Sequence, residues 1–275
     1  MKMIGIKYIV GVLLISLMIF SSCTEDEVTD RDYQLVWQDE FDGTSGAPPD
    51  PASWNYDIGT GDNGWGNQEL QYYTDRVENV AQNGQGQLVI TARNENFQGS
   101  SFTSARINTK GLVEQAYGRV EARIMTPYGP GMWPAFWLLG SNIDQVNWPQ
   151  CGEIDVMELR GQEPSTIHGS AHGPGYSAGS AVTDTYNLEN ARFDTDFYVF
   201  AIEWGTDFIE YYVDDRLYQR ITPADVSGEW VFDQPFFLIL NVAVGGTFVG
   251  FPSPEGTRFP QTMVVDYVRV YQESN

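Results

Sequence analysis

The sequence predicts an all-β chain folded as one sandwich or jelly-roll unit, and three observations carry that expectation. Short runs rich in β-branched and aromatic residues recur along residues 33–275, with Gly, Pro, Asn and Asp between them. Helical periodicity is weak, and only Pro223-Ala224-Asp225-Val226 suggests a single turn. From Tyr33 on, neither a repeat nor a second domain shows, and at 275 residues all-β folds commonly stay one unit.

Residues 1–22 read as an export leader. Lys2 and Lys7 form a charged start, and Tyr8 to Phe20 is an apolar run too short for a comfortable bilayer span. Ile19-Phe20-Ser21-Ser22-Cys23 resembles a bacterial lipobox, which implies cleavage before Cys23 and acylation of its thiol. Ordinary cleavage and secretion stay open, because Phe20 and Ser21 depart from the commonest lipobox. Residues 23–32 are acidic and apolar-poor, the composition of a flexible tether. The expected placement is a cell-surface or outer-membrane lipoprotein, outside the cytoplasm and held to the membrane through Cys23.

Residues 33–275 then form one expected domain, a monomer. Its aromatic content (8 Trp, 15 Tyr and 15 Phe over the whole chain) is ample for a core. The formal charge of −22 becomes −24 once Lys2 and Lys7 leave with the leader. Such a balance excludes nucleic acid as a partner, disfavours polyanionic glycans such as carrageenan, and suits a neutral ligand. Beyond Cys23, Cys151 is the one remaining cysteine, so it has no partner for an intramolecular disulfide and reads as a small buried hydrophobe.

The strand candidates, in order, are Leu35-Val36-Trp37, Gln87 to Ala92, Gly118 to Ile124, Tyr198 to Glu203, Phe208 to Val213, Phe236 to Ala243 and Val264 to Tyr271. Gly118 to Ile124 alternates Arg119, Glu121 and Arg123 with Val120, Ala122 and Ile124, one polar side and one core side. Val213-Asp214-Asp215-Arg216-Leu217 reads as a hairpin turn.

Chemistry concentrates in Gly152-Glu153-Ile154-Asp155-Val156-Met157-Glu158-Leu159-Arg160-Gly161. On a strand Glu153 and Asp155 share a face, but Glu158, five residues on from Glu153, would point to the other one. One extra residue around Val156-Met157, a β-bulge, returns Glu158 to the acidic face. The two glutamate Cα atoms then lie roughly 13 Å apart, and side chains leaning inward bring the carboxyls to about 5–6 Å. That is close to the ~5–5.5 Å of retaining glycosidases, in which one carboxylate is nucleophile and the other acid/base. A solvated acidic face or a calcium site would use the same spacing. The neighbouring aromatics favour chemistry on a sugar: Trp133 and Trp137 are four apart in Gly131–Gly140, and Trp148 follows, and flat indoles suit pyranose faces.

These stretches resemble glycoside hydrolase family 16, in its laminarinase-like endo-1,3-β-glucanase branch, over roughly Tyr33 to Gln272. The likeness rests on Trp65-Gly66-Asn67-Gln68-Glu69-Leu70-Gln71-Tyr72-Tyr73-Thr74, Tyr117–Arg123, Gly131–Gly140, the acidic stretch, and His168-Gly169-Ser170-Ala171-His172-Gly173. Asn241–Gly246 and Asp266–Tyr271 complete it. The resemblance implies a jelly-roll sandwich with a concave cleft and a retaining mechanism. In it Glu153 is the nucleophile, Glu158 the acid/base and Asp155 a supporting carboxylate. It further implies hydrolysis of 1,3-linked or mixed-linkage β-glucan with no catalytic cofactor. Sugar contacts would come from Trp133, Trp137, Trp148, Asn67, His172 and Asn241, with Glu121 and Arg123 on the cleft floor; His168 is left as structural. A structural calcium at Asp266, with carbonyls near Glu40 and Gly86, is also implied, and a plain surface aspartate fits there equally well. Two other readings stay open: a relative acting on agarose or porphyran, and a surface glycan-binding protein without catalysis.

Overall fold

The computed structural model describes residues 31–253 and 255–274. The expected leader, Cys23 and the tether as far as Asp30 lie outside the described residues. From Tyr33 the chain forms β1 (Tyr33–Asp39), β2 (Asn55–Asp57), β3 (Gln71–Tyr73), β4 (Val80–Gln82), β5 (Leu88–Phe97) and β6 (Ser100–Ser104). Then follow β7 (Arg106–Asn108), β8 (Glu114–Gln115), β9 (Gly118–Met125), β10 (Met132–Gly140), β11 (Glu153–Leu159) and β12 (Thr166–His172). The last are β13 (Val182–Asn187), β14 (Tyr198–Trp204), β15 (Ile209–Val213), β16 (Arg216–Ile221), β17 (Phe236–Val244) and β18 (Gln261–Glu273).

Two sheets pack face to face. The outer one runs β16-β15-β14-β9-β18-β5-β6-β3, with β1 beside β18 and β4 beside β5. The inner one runs β13-β12-β11-β10-β17-β7-β2, with β8 beside β17. Between them lies a core to which β9 gives Val120, Ala122 and Ile124, β18 gives Val265, Val268 and Val270, and β17 gives Leu238, Leu240, Val242 and Val244. Each Val, Leu and Ile among them contributes roughly 1.5–3 kcal/mol of burial. Strand β17 is buried at every position, so its cleft-facing residues are covered as well as its core-facing ones.

The expected bulge is present. From Asp155 to Glu158 strand β11 advances three residues while its neighbour β12 advances two, from Ser170 to His168. Against β10 it advances two, from Asp155 to Met157, while β10 moves one, from Trp137 to Phe136. Val156 and Met157 therefore both enter the core, at 1% and 0% exposure, and Glu158 returns to the face of Glu153. The β15–β16 turn is also as expected, with Asp214 and Asp215 at φ 47° and 62°, the left-handed pair of a tight hairpin. Residues 223–225 form a turn and no helix. Cys151 is buried, and burial pushes its thiol up to about 11, which leaves it chemically quiet.

Just beyond β11 the backbone is packed against the loop that leads into β10. Gly129 N–H donates to Gly161 O, Gly161 N–H donates to Met132 O, and a Cβ on Gly161 would stand 2.1 Å from Gly129 O. Gly161→Ala is expected to cost about 1–3 kcal/mol, and each kcal/mol lowers Tm by roughly 2–4 °C in a domain of this size. Gly179→Ala, which meets nothing within 4 Å, should leave Tm in place. Scanning calorimetry of the pair checks the contrast, and equal Tm values would contradict it.

Candidate active site

The register of the inner sheet assembles the site. Glu153 lies opposite His172, Asp155 opposite Ser170, and Glu158 opposite His168. His172 Nδ1 accepts the Ala178 N–H at 3.1 Å, so the neutral ring keeps its proton on Nε2. That Nε2 lies 3.0 Å from Asp155 Oδ2 and 3.7 Å from Glu153 Oε1. The contact is close but poorly aligned, and Asp155 Oδ2 has no hydrogen bond among the described residues. One ligating atom each from Glu153, Asp155 and His172 fall within 4.8 Å of one another, a set whose chemistry could also hold a cation.

Burial raises all three carboxyls well above the ordinary carboxylate range. For Glu153 and Glu158 the charge of Asp155 adds to burial, while His172 opposes it. Trp133 Nε1–H donates to Glu158 Oε1 at 2.8 Å and also favours the ionised form there. Groups coupled this closely titrate as a set, so at neutral pH the three hold at least one proton between them.

The tryptophans are placed by hydrogen bonds as well as by packing. Trp133, half-buried, packs against Phe248 with ring centroids 5.2 Å apart. Trp137 Nε1–H donates to Asn241 Oδ1 at 2.8 Å, and Asn241 Nδ2 reaches the Tyr73 hydroxyl at 3.3 Å. Asn241 thus holds Trp137 in place, with both ends of its amide engaged. Trp148 is 41% exposed, and its ring lies 6.0 Å from that of His172, at the Glu153 end of β11. Asn67 sits on the rim: its carbonyl accepts from Thr247, and its amide lies 3.4 Å from both the Trp65 carbonyl and Glu69 Oε1. Gln162 ties the corner after β11 to the loop bearing Phe248, its Nε2–H donating to Val249 O at 3.0 Å.

Glu121 and Arg123 are not on the cleft floor, and the expectation for them is corrected. Their strand, β9, belongs to the outer sheet, between β14 and β18. There Glu121 accepts from Arg119 and from the Tyr271 hydroxyl, and Arg123 pairs with Asp266 at 2.6 Å. The alternation on β9 distinguishes core from polar side, but both sheets of a sandwich have a polar side. The arginine of the cleft is Arg106, which the sequence reading missed. Its guanidinium lies 4.7 Å from the rings of both Trp65 and Trp137, between the two, and its Nε is 2.8 Å from Asp57 Oδ2. Strand β7 is too short to show a period, so Arg106 gave no pattern. Trp65 adopts φ 54°, a costly conformation for a bulky side chain and one that clusters at functional sites.

Asp266 gives its Oδ2 to Arg123, leaving one carboxylate oxygen for a cation. The β1–β18 register, Asp39 opposite Val268, brings the Glu40 backbone alongside this part of β18. A Cβ on Gly86 would lie 3.7 Å from Glu40 O and 3.6 Å from Asp42 Oδ1. Glu40 O and Asp42 Oδ1 thus lie together beside Gly86, oxygen donors of the kind calcium takes.

The family model of glycosyl hydrolases family 16 matches residues 66–268. A β-glucanase from Rhodothermus marinus is 44% identical over 272 residues, covering 94% of this chain and 93% of that protein. The X-ray structure of an endo-β-1,3-glucanase from Pyrococcus furiosus superposes with a TM-score of 0.85 at 46% identity, covering 90% of this chain and 98% of that one. The laminarinase catalytic domain from Thermotoga maritima gives 0.83 at 48%, covering 89% and 100%.

The raised carboxyls give a stability test. The folded chain keeps protons that an unfolded chain releases above the ordinary glutamate value of 4.5. Their contribution is therefore complete below that pH and is lost as the pH rises through the raised folded values. Glu158→Gln removes one buried charge, so its Tm should exceed that of the wild type by a margin that widens between pH ~4 and ~9. A margin that is constant or narrows with pH would contradict the buried-charge account.

Proposed function

Because the chain belongs to glycosyl hydrolases family 16, we propose that it is a retaining endo-β-glucanase cleaving 1,3-linked, laminarin-type glucan, and mixed-linkage glucan more slowly. The carrying observation is the bulged strand that sets Glu153, Asp155 and Glu158 on one face. Relatives named as endo-1,3-β-glucanases and laminarinases support the linkage.

The chemistry runs in two displacements. Glu153 attacks the anomeric carbon while Glu158 gives its proton to the departing glycosidic oxygen, leaving a glycosyl ester on Glu153. Water then attacks that carbon, Glu158 takes the proton, and the ester bond to Glu153 breaks with overall retention. Trp133 fixes Glu158 through its indole N–H. Asp155, beside His172, keeps negative charge near Glu153 and favours the proton on Glu158 during the first step. Trp137 and Trp148 offer ring faces to successive glucose units.

In the same reading the chain is a lipoprotein anchored through Cys23 and facing outward, supported by the charged and apolar leader and the lipobox-like Ile19–Cys23. A structural calcium held by Asp266 and the Glu40 carbonyl on the outer sheet also belongs to this reading. It takes no part in the reaction.

Product analysis on laminarin, curdlan, barley glucan and agarose tests the substrate, and faster turnover of agarose than of laminarin would sink the glucan assignment. Glu153→Ala and Glu158→Ala should each lose at least ~10³-fold in kcat. Azide should rescue the first as an α-glycosyl azide and the second as a β-glycosyl azide, and the same anomer from both would overturn the roles. Cys23→Ala should release the protein from the membrane fraction, and unchanged fractionation would remove the anchor.

A further inference from the structure

Glu153, Asp155 and His172 can do more than move protons. Asp155 is 4% exposed, yet its Oδ2 has no hydrogen bond among the described residues. Buried oxygens in that state are rare, and one that faces a cluster of donors points to a ligand. His172 Nε2 stands 3.0 Å from Asp155 Oδ2 and 3.7 Å from Glu153 Oε1, and the three donor atoms lie within 4.8 Å of one another. A zinc-sized ion sits about 2.0–2.2 Å from imidazole nitrogen and carboxylate oxygen, which sets such atoms roughly 3.0–3.5 Å apart. The His172–Asp155 separation already fits, and a small rotation of the Glu153 side chain closes the rest.

The donor set also selects the ion. An imidazole with two carboxylates suits Zn²⁺ and its neighbours in the transition series, whereas Ca²⁺ and Mg²⁺ prefer oxygen alone. Of the two histidines in the chain, His168 lies beside a fixed cation: Glu163 Oε2, 4.0 Å from its Nε2, also faces Arg160 Nη1 at 3.7 Å. Ligation at His172 Nε2 requires the ring proton to move to Nδ1. The Ala178 N–H that Nδ1 accepts at 3.1 Å belongs to an exposed residue, where water can take it over. A formal charge of −22 raises the concentration of divalent cations around the chain.

We propose that Glu153, Asp155 and His172 form a binding site for a divalent transition-metal ion of the Zn²⁺ class, and that this ion reversibly inhibits hydrolysis. Coordination engages the Glu153 lone pair that would attack the anomeric carbon, so no glycosyl ester forms while the ion is bound. Any carboxyl proton of the set leaves to solvent as the ion enters, and a chelator restores the free carboxylates. The inhibition rests on the reading of Glu153 as the nucleophile; the ion site itself does not.

The test uses the intact, untagged protein stripped with EDTA. Zinc chloride binding is measured by equilibrium dialysis. Trapping of Glu153 by 2,4-dinitrophenyl 2-deoxy-2-fluoro-β-laminaribioside is followed in parallel as dinitrophenolate release. Trapping should slow over the range of Zn²⁺ concentrations at which the ion binds, and calcium or magnesium chloride at the same concentrations should leave it unchanged. His172→Gln and Asp155→Asn should each raise the Zn²⁺ dissociation constant at least ~10-fold, and His168→Gln should leave it within about twofold. Asp155→Asn keeps the shape of the side chain, so it decides the matter should His172→Gln misfold. Unchanged Zn²⁺ affinity in a folded His172→Gln or Asp155→Asn protein overturns the site, and so does equally tight binding by protein already trapped at Glu153. Binding without slower trapping overturns the inhibition. If the wild type forms no ester even without Zn²⁺, the retaining reading falls, and the dissociation constants of the variants still decide the ion site.

Discussion

Glu153, Asp155 and Glu158 share a face because β11 carries one residue more than either neighbouring strand over the same span. Two energies favour that bulge. Val156 and Met157 both enter the core, each worth roughly 1.5–3 kcal/mol of burial. A regular strand would send Glu158 inward among Phe136 and Leu138, and an unpaired carboxylate there costs several kcal/mol. The site geometry hangs on this irregularity, since the bulge fixes which residues of β10 and β12 stand beside each carboxyl.

Much of this was legible in the sequence, for a physical reason. The strands β5, β9, β14, β15, β17 and β18 each bury an apolar set deep enough to leave a pattern, while β1, with Leu35 and Val36 exposed, reaches the core only through Trp37. The bulge was legible because the acidic spacing fits a strand only with one extra residue. Strands of two or three residues, such as β2, β7 and β8, are too short for a period to appear, and Arg106 was hidden with them. Glu121 and Arg123 were misplaced for a different reason. Alternation along β9 says which side chains avoid the core, but the sheet a strand joins is decided by its partners, here β14 and β18. The tryptophans were legible as a cluster. That the indole N–H groups of Trp133 and Trp137 are held by Glu158 and Asn241 depends on contacts 25 and 104 residues apart in sequence.

Charge is arranged differently on the two sheets. Outside, arginines meet carboxylates directly: Arg119 bridges Glu121, Glu203 and Asp215, Arg123 pairs with Asp266, and Arg269 with Glu40. Several of these guanidiniums also lie on rings, Arg269 on Tyr267 and Arg123 on Phe197 among them. Around Glu153, Asp155 and Glu158 the close partners are an imidazole and an indole N–H, with Arg106 and Arg160 acting from farther off. Full cation pairing would fix the three carboxyls in the ionised state, and a protein with formal charge −22 has ample acid elsewhere for its arginines. Leaving these three without such partners preserves a proton for chemistry.

Glu158 shows why opposed influences serve a double displacement. In the proposed mechanism it releases a proton in the first half of the reaction and accepts one in the second, so neither form can be strongly preferred. Burial and Asp155 favour the protonated form, whereas Trp133, His172 and Arg160 favour the ionised one. The balance shifts within each cycle. In the proposed mechanism Glu153 carries no charge while it is an ester, so the repulsion between Glu153 and Glu158 is absent at that stage. The residue that acted as an acid thereby becomes a better proton donor's counterpart, an ionised base, at the step that needs one. Trp133, braced by Phe248 and hydrogen-bonded to Oε1, keeps the carboxyl aimed at the same point through both halves, so the change is one of protonation and not of position.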